Sequence, residues 1–159
     1  MEAGYPETLF RRKPAALQEP VIPMYLKRIE ICGFKSFVDS TILELTPGIA
    51  SIIGPNGCGK SNVLDAVRWV LGEQNPRVLR ADKMADLIWA GSSTRKATSF
   101  AEATLIFADC DKVLSMDFHE IAITRRLYRT GESEYLINKA VCRLKDIESL
   151  FMDTGLGPH

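Results

Sequence analysis

The 159-residue sequence predicts an α/β fold with a mixed, partly antiparallel sheet. Three observations support this class: several segments alternate apolar and polar residues, one segment has the spacing of an amphipathic helix, and a glycine-rich loop directly precedes that helix. Two predicted strands come before the loop, and short strands joined by a hairpin turn follow it. This order favours antiparallel neighbours over a series of βαβ repeats.

The strands are predicted from period-2 alternation or from short apolar runs. Residues 25–32 alternate, with Ile29 and Ile31 on one face. A second strand surrounds residues 43–45 and stops at Pro47. Residues 49–53 are apolar and rich in β-branched side chains, which predicts a buried strand leading into the loop. Further strands are predicted over residues 100–108, 121–129 and 134–137.

Two helices are predicted from 3.6-residue periodicity. Residues 61–71 are predicted to form a helix with one apolar face, and Gly72 is the expected residue just after its C-terminus. The members of this face are Val63, Leu64, Val67, Val70 and Leu71. Residues 143–152 return to helical spacing, and Gly155 and Gly157 are expected to end that helix.

The last two predicted strands are joined by a turn over residues 130–133. We expect Arg125, Arg126 and Arg129 to pair with Glu132 and Glu134 across this hairpin, because opposite charges on neighbouring strands stabilise each other.

The composition is that of a globular domain, with 46% hydrophobic and 25% charged residues. Twenty basic residues balance twenty acidic ones, so binding to nucleic acid requires a local basic patch. No apolar run approaches the roughly 18–20 residues that span a bilayer, and no signal peptide is recognisable. The four cysteines form no C-x-x-C pair, which argues against a zinc site and favours a reducing, cytoplasmic location.

The chain divides at Met24. Residues 1–23 contain four prolines and no apolar period, so we expect a flexible extension. Residues 24–159 form the predicted globular part.

The most specific motif matches the pattern G-x-x-x-x-G-K-[ST] of a phosphate-binding loop, known as Walker A. Its members are Gly54, Pro55, Asn56, Gly57, Cys58, Gly59, Lys60 and Ser61. Glycines admit backbone conformations closed to other residues, and successive N–H groups before a helix form an anion site. We expect Lys60 to reach the β- and γ-phosphates and the Ser61 hydroxyl to bind Mg²⁺. The alternative is a glycine-rich turn that binds nothing.

Further short motifs flank the loop in a fixed order. They are MYLKRI at 24–29, GFKSF at 33–37, RWVLGEQ at 68–74, AGS at 90–92, DFHE at 117–120, TRRLYR at 124–129, GESEY at 131–135, CRLKDI at 142–147 and FMDTG at 151–155. Together with the loop, they make residues 24–157 closely resemble the N-terminal head segment of bacterial SMC (structural maintenance of chromosomes) proteins.

The resemblance implies a P-loop NTPase fold of the ABC type, of which this segment is the N-terminal lobe with its Walker A helix. In this family ATP lies between two heads, and long coiled coils with a hinge join the heads around DNA. By position, the family implies that Lys35, Ser36 and Asn62 lie at the nucleotide, and that Arg80 reaches it. The family usually has two glycines after that arginine, where this chain has Ala81 and Asp82. Strain at Ala81 and added negative charge from Asp82 are therefore expected.

The resemblance also implies partners. These are the C-terminal half of the head, a second head in a homodimer, a kleisin-type accessory subunit and DNA, with a nucleoid-associated location and no membrane. Lys83, Arg143 and Lys145 match basic residues that contact DNA in the family, although an ordinary solvated charged face explains them as well. The signature loop, the Walker B aspartate and the catalytic glutamate belong to the C-terminal half, so we expect negligible ATP hydrolysis by these residues alone.

Two other functions stay open at this point. One is a self-contained P-loop phosphotransferase, for which neither an acceptor site nor a catalytic base is recognisable. The other is a truncated, non-catalytic remnant that binds nucleotide weakly.

Overall fold

A computed structural model of the chain describes residues 24–112, 114 and 118–152. The predicted extension over residues 1–23 lies outside the described residues. So do Gly155 and Gly157, the expected end of the second helix.

The described part contains six strands, two α-helices and two short 3₁₀ turns. The strands are β1 (Tyr25–Cys32), β2 (Thr41–Glu44), β3 (Phe100–Ala108), β4 (Glu120–Tyr128), β5 (Ser133–Ile137) and β6 (Ala140–Cys142). The helices are α1 (Lys60–Val70) and α2 (Leu144–Met152), and the 3₁₀ turns span Met84–Leu87 and Cys110–Lys112. The α/β class, the strands outside residues 49–53 and both helices are thereby confirmed.

The six strands form one sheet in the order β2-β1-β3-β4-β5-β6. Each neighbouring pair in this sheet is antiparallel. The long strands β3 and β4 pair over their full lengths, from Phe100 opposite Tyr128 to Ala108 opposite Glu120. A register shift between Leu26 and Arg28 interrupts the pairing of β1 with β3.

One face of the sheet is apolar and carries both helices. Helix α1 lies against β3 and β4, and the Phe151 ring of α2 lies 5.2 Å from the ring of Phe107 on β3. The inward side chains alternate along each strand, as the period of a pleated sheet requires. The apolar ones on the three longest strands are Ile29, Ile31, Ala101, Ala103, Leu105, Phe107, Ile121, Ile123 and Leu127.

The other face of the sheet is polar. Thr104 and Thr124 sit opposite each other and share a hydrogen bond of 2.8 Å. Next to them, Arg126 pairs with Glu102 on β3 and with Glu134 on β5. Opposite charges and hydroxyls on adjacent strands thus satisfy one another on the exposed face.

The structure corrects the strand predicted over residues 49–53. No strand forms there, and Ile49 and Ile53 are 99% and 91% exposed. A strand needs a neighbour to accept and donate its backbone hydrogen bonds. Among the described residues β2 closes that edge of the sheet, and no further strand pairs with this segment.

The apolar face predicted for α1 is partly wrong. Val63 and Val70 are buried as expected, but Leu64 is half exposed. Ala66 and Trp69 occupy the core instead, and Trp69 packs its ring 5.1 Å from that of Phe34. Gly72 directly follows the C-cap residue Leu71, as predicted, and has a positive φ of 114°.

The hairpin charge pairing is confirmed only for Arg126 and Glu134, whose closest atoms lie 3.3 Å apart. It is wrong for Arg129, which donates to the backbone carbonyls of Thr98 and Trp89. It is also wrong for Arg125, because strand alternation turns this residue to the inner face.

Arg125 is buried at the C-terminal end of α1, with 3% exposure. Its guanidinium donates to the Trp69 and Glu73 carbonyls at 2.7 and 2.8 Å and to the Gln74 side-chain oxygen at 3.1 Å. It also lies over the rings of Trp69 and Tyr135, at 5.1 and 4.8 Å from their centroids. Burial lowers the pKa of Arg125 to about 10, so it carries its charge at neutral pH. A cation at this end of a helix interacts favourably with the negative end of the helix dipole.

None of the helices in the described ranges is both long and apolar enough to cross a lipid bilayer.

Replacing Arg125 by methionine should destabilise the fold by about 2–4 kcal/mol, because one buried and two partly buried acceptors would lose their donor. The matched control is Arg126→Met on the outer face, whose partly exposed ion pairs should contribute at most about 1 kcal/mol. Urea unfolding measures both. Equal losses from the two substitutions would show that Arg125 does not hold α1 to the sheet.

Candidate nucleotide-binding site

The glycine-rich loop runs directly into α1. Gly59 precedes the helix with φ of 92°, a left-handed conformation that disfavours any side chain. A Cβ atom at this position would lie 2.8 Å from the hydroxyl oxygen of Ser36. The positive φ and the close approach to the turn after β1 both favour glycine at this position.

Lys60 folds back over the loop. Its Nζ atom donates to the carbonyl oxygens of Gly54 and Pro55, the latter at 2.6 Å, and lies 3.9 Å from the Cys58 sulfur. Its ammonium group is therefore held at the mouth of the loop by weak, neutral acceptors. An anionic ligand would compete well for these hydrogen bonds, because hydrogen bonds to charged acceptors are stronger.

A cavity of about 230 Å³ lies where the loop meets the helix. The first N–H groups of α1 have no acceptor within the helix, and the helix dipole makes this end positive. Ser61 is exposed in the first turn. The lining residues are Asn56, Gly57, Gly59, Lys60, Ser61, Asn62 and Arg80.

The turn after β1 brings Lys35 and Ser36 to the N-terminal part of α1. Lys35 has φ of 48°, and its Nζ atom donates to Asp65 Oδ2 at 2.6 Å and to the Leu79 carbonyl. The Ser36 hydroxyl accepts a hydrogen bond from the Asn62 side chain at 2.8 Å. Both residues thus contact side chains in the first two turns of α1, next to the loop.

Arg80 approaches α1 from the segment after the helix. Its Nη2 atom donates to Asp65 Oδ2 at 2.6 Å and to Asn62 Oδ1 at 3.1 Å. The strain expected at Ala81 is not observed, because the positive φ falls on Arg80 itself, at 53°. Asp82 is exposed and lines a neighbouring cavity that also contains Arg80.

Asp65 was not predicted as a site residue. This residue is buried, with 2% exposure, and its Oδ2 atom accepts hydrogen bonds from both Lys35 and Arg80. A sequence signal existed: Asp65 is an acidic residue one turn after Ser61, beside core residue Ala66. A carboxylate among apolar helix positions is buried only when cations accompany it.

The three residues expected at DNA are exposed. Lys83 immediately precedes the 3₁₀ turn Met84–Leu87, while Arg143 and Lys145 flank the first residue of α2. The backbone N–H groups of Lys83 and Arg143 donate to the carboxylates of Asp86 and Asp146, respectively. Within residues 24–112, 114 and 118–152, no ion pair involves the side chains of these three basic residues.

These groups fit a polyphosphate with a bound Mg²⁺. The glycines leave the backbone amides uncovered, Lys60 supplies an ammonium group, and Ser61 supplies a hydroxyl of the kind that binds Mg²⁺. Lys35 and Arg80 add two positive charges against the single buried carboxylate of Asp65. The cavity is therefore electrostatically suited to an anion.

Comparison with known proteins agrees with this geometry. Residues 25–159 match the family model described as the RecF/RecN/SMC N-terminal domain. Over 134 residues the chain is 55% identical to the chromosome partition protein Smc of Bacillus subtilis and 58% identical to that of Clostridium kluyveri. Each match covers 84% of this chain but only 11% of the relative, so the chain spans about a tenth of their length.

Solved SMC structures have the same fold. An Smc head domain of Pyrococcus furiosus, bound to the C-terminal domain of ScpA, superimposes with a TM-score of 0.78 at 33% identity, covering 82% of this chain and 33% of that one. A structure from work on ATP-driven dimerization and DNA-stimulated activation of SMC ATPases gives a TM-score of 0.80 at 31% identity, covering 84% and 81%.

The loop before α1, the antiparallel sheet beside it and these similarities lead to one assignment: the chain belongs to the RecF/RecN/SMC N-terminal domain family and is an N-terminal SMC head segment.

Proposed function

We propose that this chain binds Mg-ATP as the N-terminal part of an SMC head. The observation that carries the proposal is a cavity beside the N-terminus of α1 that Lys60 and Arg80 line, with Lys35 behind it on the same Asp65 carboxylate as Arg80. Three cations from separate segments, with one buried carboxylate among them, form a site for a multiply charged anion.

Each residue has a distinct role in the proposed complex. The amides of residues 57–61 bind phosphate oxygens, and Lys60 exchanges its loop carbonyls for the β- and γ-phosphates. Ser61 binds Mg²⁺, which neutralises charge on the triphosphate. Lys35, Ser36, Asn62 and Arg80 border the nucleotide from the turn after β1 and from the segment after α1.

The whole protein would use this site for chromosome partition, as a cytoplasmic, nucleoid-associated ATPase. In this proposal the C-terminal half of the head covers the exposed isoleucines Ile49, Ile52 and Ile53 next to the loop. Exposed apolar patches of this kind mark protein interfaces. A second head and a kleisin subunit complete the assembly, since a related Smc head binds ScpA and SMC ATPases undergo ATP-driven dimerization.

We propose further that Lys83, Arg143 and Lys145 contact DNA in that assembly. Their exposure and lack of ion pairs within the described segments support this role, since a cation already paired binds phosphate less well. Contacts of this type hold the DNA backbone without reading its sequence.

Replacing Lys60 by alanine should weaken Mg-ATP binding by at least about tenfold, because the charged hydrogen bonds to phosphate are lost. Isothermal titration calorimetry of the 159-residue chain measures the affinity directly. The control is Lys96→Ala, which removes the same charge from an exposed position before β3. If both variants bind Mg-ATP like the unchanged chain, the loop is not the nucleotide site.

Replacing Lys83, Arg143 and Lys145 together by glutamine should weaken binding to duplex DNA. The slope of log affinity against log salt should fall by up to about three, close to one for each lost phosphate contact. Fluorescence anisotropy at several salt concentrations, on the complete SMC protein, gives this slope. A control with Arg68, Lys96 and Lys139 replaced has the same net charge. An identical slope in the two variants would contradict the proposed DNA contacts.

A further inference from the structure

Asp65 is the point at which the two flanking cations meet. Its single Oδ2 atom accepts from Lys35 Nζ at 2.6 Å, from Arg80 Nη2 at 2.6 Å and from Arg80 Nε at 3.1 Å. The carboxylate is 2% exposed, whereas the Arg80 side chain is 51% exposed. The two cations come from segments on either side of α1, so Asp65 links both segments to the helix that begins at the phosphate loop.

The backbone at both cations is held in an uncommon conformation. Lys35 and Arg80 have φ of 48° and 53°, in the left-handed region that non-glycine residues seldom occupy. Such conformations are strained and persist only where other contacts impose them. The shared carboxylate contributes to that constraint, together with the backbone hydrogen bonds from Lys35 N–H to the Leu87 carbonyl (2.7 Å) and from Arg80 N–H to the Arg77 carbonyl (3.0 Å).

Each cation keeps donors that Asp65 does not use. Lys35 donates to Asp65 and to the Leu79 carbonyl, which leaves one of its three N–H groups. Arg80 uses Nε and Nη2, and in the described part of the chain its Nη1 has no partner. Arg80, which is half exposed and lines the cavity, can therefore donate to a ligand without leaving Asp65, and Lys35 keeps one N–H group directly behind it.

We propose that Asp65 is a positioning residue for the nucleotide site. It holds Lys35 and Arg80 beside the phosphate loop, with their remaining donors available to the polyphosphate. This inference rests on the proposed binding of Mg-ATP and adds a residue that never touches the ligand. In this proposal the Asp65 carboxylate orients the two cations of an anion-binding site.

The proposal predicts an effect opposite in sign to simple electrostatics. Removing a negative charge near a polyphosphate should strengthen binding if charge alone matters. If Asp65 orients the two cations, Asp65→Asn should instead weaken Mg-ATP binding about tenfold, because misplaced binding groups lose most of their contribution. Asp82→Asn is the matched control: this exposed acid lines the cavity next to Arg80 but has no role in holding either cation. It should bind Mg-ATP as tightly as the unchanged chain, or more tightly.

Calorimetric titration with Mg-ATP is performed on the unchanged chain, Asp65→Asn, Asp82→Asn, Arg80→Gln and the Asp65→Asn/Arg80→Gln double variant. The expected result is weaker binding by Asp65→Asn alone, with little further loss when it is added to Arg80→Gln, because Asp65 acts partly through that arginine. Tighter or equal binding by Asp65→Asn overturns the inference and leaves ATP binding intact. Fully additive losses in the double variant overturn it as well. Absence of binding by the unchanged chain overturns the proposed function and this inference together.

Thermal unfolding of each variant shows whether it is folded at the titration temperature. If Asp65→Asn is not folded, a cycle of Lys35→Gln and Arg80→Gln replaces it, since neither changes a fully buried group. Two cations held by one carboxylate should be coupled. The loss of Mg-ATP affinity in the double variant should therefore differ at least about threefold from the product of the losses in the two single variants. Independent effects would overturn the inference.

Discussion

The packing of α1 against β3 and β4 is the contact on which the rest of the structure depends. Val63, Ala66, Trp69 and Val70 fix one side of this helix in the core. Its N-terminus then presents the phosphate loop, while its C-terminus meets the buried guanidinium of Arg125. A helix fixed at both ends keeps the loop at a defined distance from the turn after β1, as the close approach of Gly59 to Ser36 requires.

The charges of the site are organised around the same helix. Asp65 is on the second turn and draws Lys35 and Arg80 from two different segments, while Asn62 links Ser36 and Arg80 one turn earlier. A buried carboxylate costs several kcal/mol in desolvation unless cations compensate for it. The fold therefore gathers positive charge next to the phosphate loop before any ligand is bound, which reduces the reorganisation that binding requires.

Local sequence patterns predicted most of the fold and the loop, but they could not predict contacts between residues that are distant in sequence. Alternation identified β1, β3 and β4 because each has one apolar face, and the glycine motif predicted the loop before α1, because phosphate binding requires that spacing. The strand over residues 49–53 was predicted from composition, yet pairing depends on a neighbour that no local pattern reveals. Likewise, the partners of Arg125 and Asp65 are distant in sequence. The SMC resemblance placed Lys35 and Arg80 near the nucleotide, but it gave no reason to expect one carboxylate between them.

The most direct test is a crystal structure of the chain with Mg²⁺ and a non-hydrolysable ATP analogue. The account predicts a triphosphate within the loop of residues 54–61, Lys60 moved from the Gly54 and Pro55 carbonyls to phosphate oxygens, and Lys35 and Arg80 still bonded to Asp65. An analogue bound elsewhere, or a loop that stays closed on Lys60 at saturating ligand, would contradict the account.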